Sequence, residues 1–233
     1  METNRYHRQM LLPELGTEGQ ARLRRAKVLV VGVGGLGSPI AQTLVGAGIG
    51  TLGFIDDDVV SLTNLHRQLL YGESHVGQPK AGAAAARLAD LNSEVCLQPH
   101  EGRLTAVNAR DLIAGYDLVM DGCDNFATRY VIDVACAQLG IPYIYGAVGG
   151  LEGQVSLFHH GPAPRRYRDL YPDEQAMLTM PQPGKEILGT VPGVVGNVMA
   201  QQAIQLIAGF GELLSGRLWT INLATLESYL LEF

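Results

Sequence analysis

Residues 27–56 read KVLVVGVGGLGSPIAQTLVGAGIGTLGFID, and few folds accommodate such a run. Lys27-Val28-Leu29-Val30-Val31 is short, apolar and β-branched, as suits a strand buried on both faces. Gly32-Val33-Gly34-Gly35-Leu36-Gly37 follows at once with the spacing GxGxxG and leads into a helix that closes near Gly46 to Gly48. A second strand, Thr51 to Asp56, ends on an acid 19 residues after Gly37. Glycines at 32, 34, 35 and 37 let the backbone approach a phosphate. The helix N-terminus supplies free N–H groups and partial positive charge. Glycine turns also arise for packing alone, but an acid placed like Asp56 is where a ribose-binding carboxylate belongs. Together they predict a nucleotide site.

The rest of the chain keeps alternating. Pro79 opens an alanine-rich helix, VCLQPH reads as a third strand, and AVNARDLIAGY as a helix. LVMDG (118–122) is a strand, NFATRYVIDVACAQLG a helix and PYIYGA (142–147) another strand. This alternation predicts an α/β, doubly wound, Rossmann-like, mostly parallel sheet. The pattern changes after Gly149. GQVSLFHH reads as a strand, and residues 162–192 carry six of the eleven prolines without clear periodicity. A helix from Gly193 to Gly209 and two closing strands, RLWTINLA and TLESYLLEF, complete the chain. One domain over 1–233 is expected, with a C-terminal strand extension and a Pro-rich loop over 160–190 of the length that functional lids have. A flexible linker is the alternative for that loop.

The stretch Phe54 to Gln68, FIDDDVVSLTNLHRQ, sets three aspartates ahead of Asn64 and Arg67. Crowded acids repel, so something must hold them apart or use them. Lys80, one of three lysines, sits just inside the helix after Pro79, where a cation opposes the helix dipole unless an anion intervenes. It reads as a cation reaching a β- or γ-phosphate; the alternative is a solvated surface lysine. Asp121-Gly122-Cys123-Asp124-Asn125 lies at the C-terminal end of a parallel strand, the edge where open α/β sheets bind ligands. A carboxylate meeting a triphosphate needs a divalent cation between them, so Asp124 is the candidate Mg²⁺ ligand with Asn125 alongside. The alternative is that Asp124 caps the following helix. This set favours ATP·Mg²⁺ over NAD.

A net charge of −6 argues against wholesale nucleic-acid binding. No apolar run is long enough for a membrane span and the N-terminus is too polar for a signal peptide, so a cytoplasmic location is expected. Cys96, Cys123 and Cys136 form no CxxC pattern and read as three buried small hydrophobes.

These motifs carry a resemblance over nearly the whole chain. RYHRQ, VGVGGLGS, IDDDVVSLTNLHRQLLY, VGQPK, DGCDN, GGLEGQ and VPGVVG, in this order, resemble the bacterial ubiquitin-activating-enzyme-like adenylyltransferases of the ThiF/MoeB/HesA group. The resemblance implies ATP-dependent adenylylation of the C-terminal Gly-Gly carboxylate of a small ubiquitin-like sulfur carrier, ThiS- or MoaD-like, in thiamine or molybdopterin synthesis. It implies Asp56 on the ribose, Asn64, Arg67 and Lys80 on the phosphates, and Gly35 in the nucleotide loop. Asp124 is the implied magnesium acid, with Asn125 beside it. Arg8 is the implied arginine that one protomer of a C2 homodimer inserts into its partner's site; an ordinary surface arginine is the alternative.

Two departures from the family pattern shape the expectations. Members often carry a zinc site built from two CxxC pairs; here Arg166 and Asp169 stand where the first pair would be, and no zinc is expected. Some members use a loop cysteine for a covalent step; Gln182 stands near that position, so the reaction is expected to stop at the acyl-adenylate. Three other readings stay open: an NAD-dependent oxidoreductase, a catalytically silent relative, and adenylation of a different peptide.

Overall fold

The computed structural model describes residues 4–180 and 186–233, so Gln182 lies outside the described residues. Two helices, α1 (His7–Met10) and α2 (Gly16–Arg25), precede β1 (Lys27–Val31). Then come α3 (Gly37–Ala47), β2 (Thr51–Asp56), α4 (Lys80–Leu91), β3 (Cys96–Glu101), α5 (Ala109–Ile113), β4 (Leu118–Asp121), α6 (Phe126–Leu139) and β5 (Tyr143–Gly149). The chain continues through β6 (Glu152–Phe158), α7 (Tyr167–Leu170), α8 (Glu174–Thr179), α9 (Thr190–Ala208), β7 (Arg217–Asn222) and β8 (Glu227–Glu232).

All eight strands form one sheet in the order β3-β2-β1-β4-β5-β6-β7-β8. The pairings from β3 to β5 are parallel, and those from β5 to β8 are antiparallel. This is the α/β, Rossmann-like sheet with a strand extension that the alternation of elements predicts. Connectivity explains the change of direction: helices return the chain before β5, whereas β5 turns directly into β6 at Gly149–Gly150. β8 is exposed along its whole length and presents Tyr229, Leu230 and Leu231 at the open edge.

Apolar cores lie on the two faces of the sheet. One holds Val28, Val30, Leu44 and Phe54 with α3, α4 and α9. The other holds Leu29, Val31, Tyr143 and Tyr145 with α5, α6 and α7. Consecutive strand residues point to opposite faces, so β1 splits cleanly between the two cores. On α9, Val191, Val195, Met199, Ala200 and Ala203 are buried against the sheet, whereas Val198, Ile204 and Ile207 are half-buried and Val194 is exposed. The helix sits so close to the sheet that a Cβ on Gly153 would strike Val195 and one on Gly146 would strike Met199.

The cysteines differ from expectation. Cys136 is buried and Cys123 half-buried, but Cys96 is exposed, because β3 is an edge strand with most of its length open to solvent. The Pro-rich segment also contains more structure than its composition suggests. Asp173 caps α8 by accepting the Ala176 N–H at 2.9 Å, and the Asp169 carboxylate accepts the Arg166 N–H at 2.9 Å to start α7.

At the C-terminal end of β4, Asp121 is wholly buried. Its Oδ2 accepts from Arg129 Nε at 3.0 Å and from the Tyr143 hydroxyl at 2.9 Å, while Oδ1 accepts the Cys123 N–H at 3.0 Å. Arg129, from α6, also donates to the Cys123 and Gly146 carbonyls, both at 3.3 Å. The pair therefore ties β4, β5 and α6 together. Arg129→Ala would strand a buried carboxylate, and a loss of about 3–5 kcal/mol is expected, read as a lower urea midpoint.

Candidate nucleotide site

The loop after β1 is shaped by contact with the loop after β4. Gly32 has φ +87°, and a Cβ there would meet the Gly122 carbonyl at 2.8 Å. Gly37 is needed for a different reason: a side chain would collide with the Gly32 carbonyl and push α3 away from β1. In the resulting turn Val33 is gripped at both ends. Its N–H donates to Asp56 Oδ2 at 2.8 Å, and its carbonyl accepts from the Tyr71 hydroxyl at 2.9 Å. The next three N–H groups, of Gly34, Gly35 and Leu36, find no acceptor among the described residues. Three free donors ahead of a helix N-terminus make a ready cradle for an anion.

Asp56 ends β2 beside this loop. Burial pushes its carboxyl above the ordinary range, and the Lys80 charge and the Asp58 and Val33 N–H groups oppose that rise. The three acids stay clustered, one carboxylate oxygen of each lying within 4.8 Å of the others, and each is compensated by a different partner. Asp58 pairs with Lys80 Nζ at 2.8 Å, Asp57 lies 3.6 Å from Arg103, and Asp56 accepts from the backbone. Residues 58–60 hydrogen-bond to 77–80, through Val60 N to Gln78 O and Lys80 N to Asp58 O, both at 2.9 Å. This local pairing carries Lys80 to the acids. Its side chain is almost wholly buried, so Lys80 is not a solvated surface lysine.

Asn64 and Arg67 come from the 3-10 turn at Leu62–Asn64 and the turn that follows it. Asn64 Oδ1 accepts the Ser61 N–H at 3.1 Å, which leaves its amide hydrogens available. Arg67 is half-buried, bonded through Nη1 to the Thr63 carbonyl at 3.0 Å, and its Cδ lies 3.8 Å from where a Gly35 Cβ would stand. Gly34 faces the buried Gln68 side chain.

The Asp121–Arg129 pair turns Asp124 outward. Asn125, not Asp124, caps α6, accepting the Thr128 N–H at 2.9 Å. Asp124 is exposed, and its only polar contact among the described residues is the Asn125 amide at 3.4 Å, so its carboxylate is uncommitted there. It follows Gly122 and Cys123, which pack on Gly32, so it stands close to the glycine loop. Cys123 itself is disarmed, because burial and the neighbouring Asp121 push its thiol well up.

The structure thus gathers Gly32, Gly34, Gly35, Gly37, Asp56, Asn64, Arg67, Lys80, Asp124 and Asn125 around the C-terminal ends of β1, β2 and β4. Arg8 is elsewhere. α1 is moored at the other end of α3: Tyr6 packs on Gly48, and Gln9 Nε2 donates to the Ala47 carbonyl at 2.9 Å. The length of α3, about 16 Å by helical rise, separates that mooring from the glycine loop. Sequence reasoning missed Arg129 and Tyr71. A basic residue inside the mostly apolar α6 was a signal for the first; nothing local marks a tyrosine hydroxyl that reaches 38 residues back.

The ThiF family model matches residues 6–232. A sulfur carrier protein adenylyltransferase of Thermus thermophilus is 45% identical over 225 residues, covering 93% of this chain and 82% of that protein. The probable adenylyltransferase/sulfurtransferase MoeZ of Mycobacterium tuberculosis is 44% identical over 222 residues, but this chain spans only 56% of its length. The mouse adenylyltransferase and sulfurtransferase MOCS3 is 45% identical, and there the chain spans 47%. In fold, the chain is similar to a crystal structure of E. coli MccB with MccA-N7isoASN, at TM-score 0.87 and 21% identity over 99% of this chain and 72% of that one. With its glycine loop, acids and cations so arranged and the family model matched almost end to end, the chain belongs to the ThiF family.

Proposed function

We propose that the chain is an ATP-dependent adenylyltransferase that activates the C-terminal Gly-Gly carboxylate of a small ubiquitin-like sulfur carrier. The carrier is ThiS- or MoaD-like, serving thiamine or molybdopterin synthesis. The observation that carries this reading is the meeting of three free N–H donors with Arg67, Lys80 and an uncommitted Asp124 at one sheet edge. A dinucleotide oxidoreductase would leave the two cations and Asp124 idle.

In this reading Asp56 accepts from the ribose hydroxyls, and Asn64 and the loop N–H groups donate to phosphate oxygens. Arg67 and Lys80 stabilise charge as the carrier's carboxylate attacks the α-phosphorus and pyrophosphate leaves. Arg67 suits the forked contact, and Lys80 supplies a point charge already aimed among the acids. Asp124, with Asn125 beside it, would hold Mg²⁺, which when bound neutralises phosphate charge. The exposure of Asp124 and its freedom from capping fit that role.

Residues Glu186 to Gly189 return to the site. Gly150 N donates to the Glu186 carbonyl at 3.0 Å, and Gly189 packs on the His66 backbone. The described residues of the 160–190 segment, 160–180 and 186–190, are then parts of a crossover loop over the adenylate and the carrier tail. Cys123 is half-buried and held as a thiol, Cys136 is buried, and Cys96 starts β3 at the opposite end of the sheet. The reaction accordingly stops at the acyl-adenylate. No zinc is assigned, because Arg166 and Asp169 are committed to an arginine-led helix start.

Arg8 cannot reach its own chain's site from the far end of α3, which supports its acting in a partner's site within a C2 homodimer. Two measurements test the reading. ATP–pyrophosphate exchange should require a carrier ending in Gly-Gly and should fall at least about 100-fold in Asp124→Ala; exchange without a carrier would overturn it. Comparing ThiS-like and MoaD-like carriers in this assay assigns the pathway. Arg8→Ala and Asp124→Ala should each be inactive alone but recover, on mixing, roughly a quarter of parent activity through one intact composite site per mixed dimer. No recovery on mixing would place Arg8 outside the reaction.

A further inference from the structure

Tyr71 belongs to none of the groups that touch nucleotide in the reading above, yet it is bonded to two of the segments that carry them. It is 6% exposed and follows the turn that supplies Asn64 and Arg67. Its backbone N–H donates to the Gln68 carbonyl at 3.1 Å. Its hydroxyl donates to the Val33 carbonyl at 2.9 Å, with the Lys80 carbonyl at 3.4 Å as a weaker second acceptor. One phenol therefore spans from the glycine loop to the first residue of α4.

The consequence follows from the Val33 peptide units. Asp56 fixes the N–H on one side of Val33, and Tyr71 fixes the carbonyl on the other. That carbonyl belongs to the same peptide plane as the Gly34 N–H, so holding the oxygen one way aims the N–H the other way. Gly34 N–H is the first of the three free donors. Gly34 leaves this plane unrestrained on one side, so an external hydrogen bond adds to what Val33 alone supplies. Among the described residues, Ser38 Oγ is the only other donor to this carbonyl, at 3.5 Å, the limit of a useful contact.

The phenol is also a dependable donor. Burial first, and then the charges of Asp56 and Asp58, push its ionisation far above the physiological range, so the proton stays in place. The ring contributes separately: it packs in the core and meets the His75 ring edge-on at 6.4 Å.

We propose that Tyr71 is a positioning residue of the nucleotide site: its hydroxyl orients the Val33–Gly34 peptide so that the free loop donors face the phosphates, and holds the loop at a set distance from Lys80. This rests on the nucleotide reading of the site but not on the identity of the carrier.

The test is Tyr71→Phe, which removes one oxygen and leaves the ring packing. In ATP–pyrophosphate exchange the KM for ATP should rise about five- to tenfold, as expected for one misdirected donor, with the KM for the carrier unchanged. Calorimetric titration of ATP·Mg²⁺, run well below the melting temperature of either protein, should show the same loss of affinity. AMP lacks the β- and γ-phosphates, so its affinity should fall less. An unchanged ATP KM and affinity, whatever the change in melting temperature, would overturn the proposal and leave Tyr71 a packing residue. Equal losses for the carrier and ATP would also overturn it. Should the parent protein bind ATP yet catalyse no exchange with any carrier, the adenylylation reading fails alone and the titration still decides the role of Tyr71. A parent that binds no ATP ends both.

Discussion

A carboxylate buried at the end of a central strand is the constraint around which this molecule is arranged. Asp121 has no access to water, and a bare charge in that setting would be untenable. The fold answers with Arg129 from α6, the Tyr143 hydroxyl from β5 and a backbone N–H from its own turn. Arg129 and Tyr143 come from other elements, so satisfying one charge also fixes how the helix and two strands meet. Arg129 lies over the Tyr145 and Phe126 rings, which lets an aromatic layer surround the ion pair without leaving it unpaired. The turn that follows is held in register by the same bonds, and Asp124 is left to face solvent.

Much of the fold was legible because period and punctuation agree. Buried β-branched runs, glycine turns and helices alternate from Lys27 to Gly149, and each strand lies where its run predicts. Legibility fails where the signal is not periodic. Residues 162–192 hold two capped single-turn or two-turn helices that composition hides, because caps such as Asp173 act through single hydrogen bonds. The exposure of Cys96 was hidden for another reason: a strand's own residues do not say whether it ends up at the sheet's edge.

The candidate site divides in the same way. The glycines from 32 to 37 and Asp56 are named by spacing, and Asn64, Arg67 and Lys80 by their charge or polarity and by the family resemblance. The residues that orient them are not. Tyr71 and Arg129 act on groups 38 and 8 residues away, through hydroxyl and guanidinium contacts that no local pattern encodes. Arg8 shows the opposite case. Its motif is plain in the sequence, and its distance from the site appears only when α1 is seen moored by Tyr6 and Gln9 at the far end of α3.

The strand order carries a cost in time. At the seam of the sheet, Val28 of β1 pairs with Leu118 of β4, ninety residues later in the chain. Closing so long a loop is slow compared with forming the β5–β8 meander, whose neighbours are consecutive strands. The parallel half, which carries the glycine loop, therefore assembles against a lag. Until β4 arrives, Gly32 lacks the Gly122 backbone it packs upon and the apolar β1 has one open flank. A chain made from its N-terminus must keep that flank from other strands while a further ninety residues emerge.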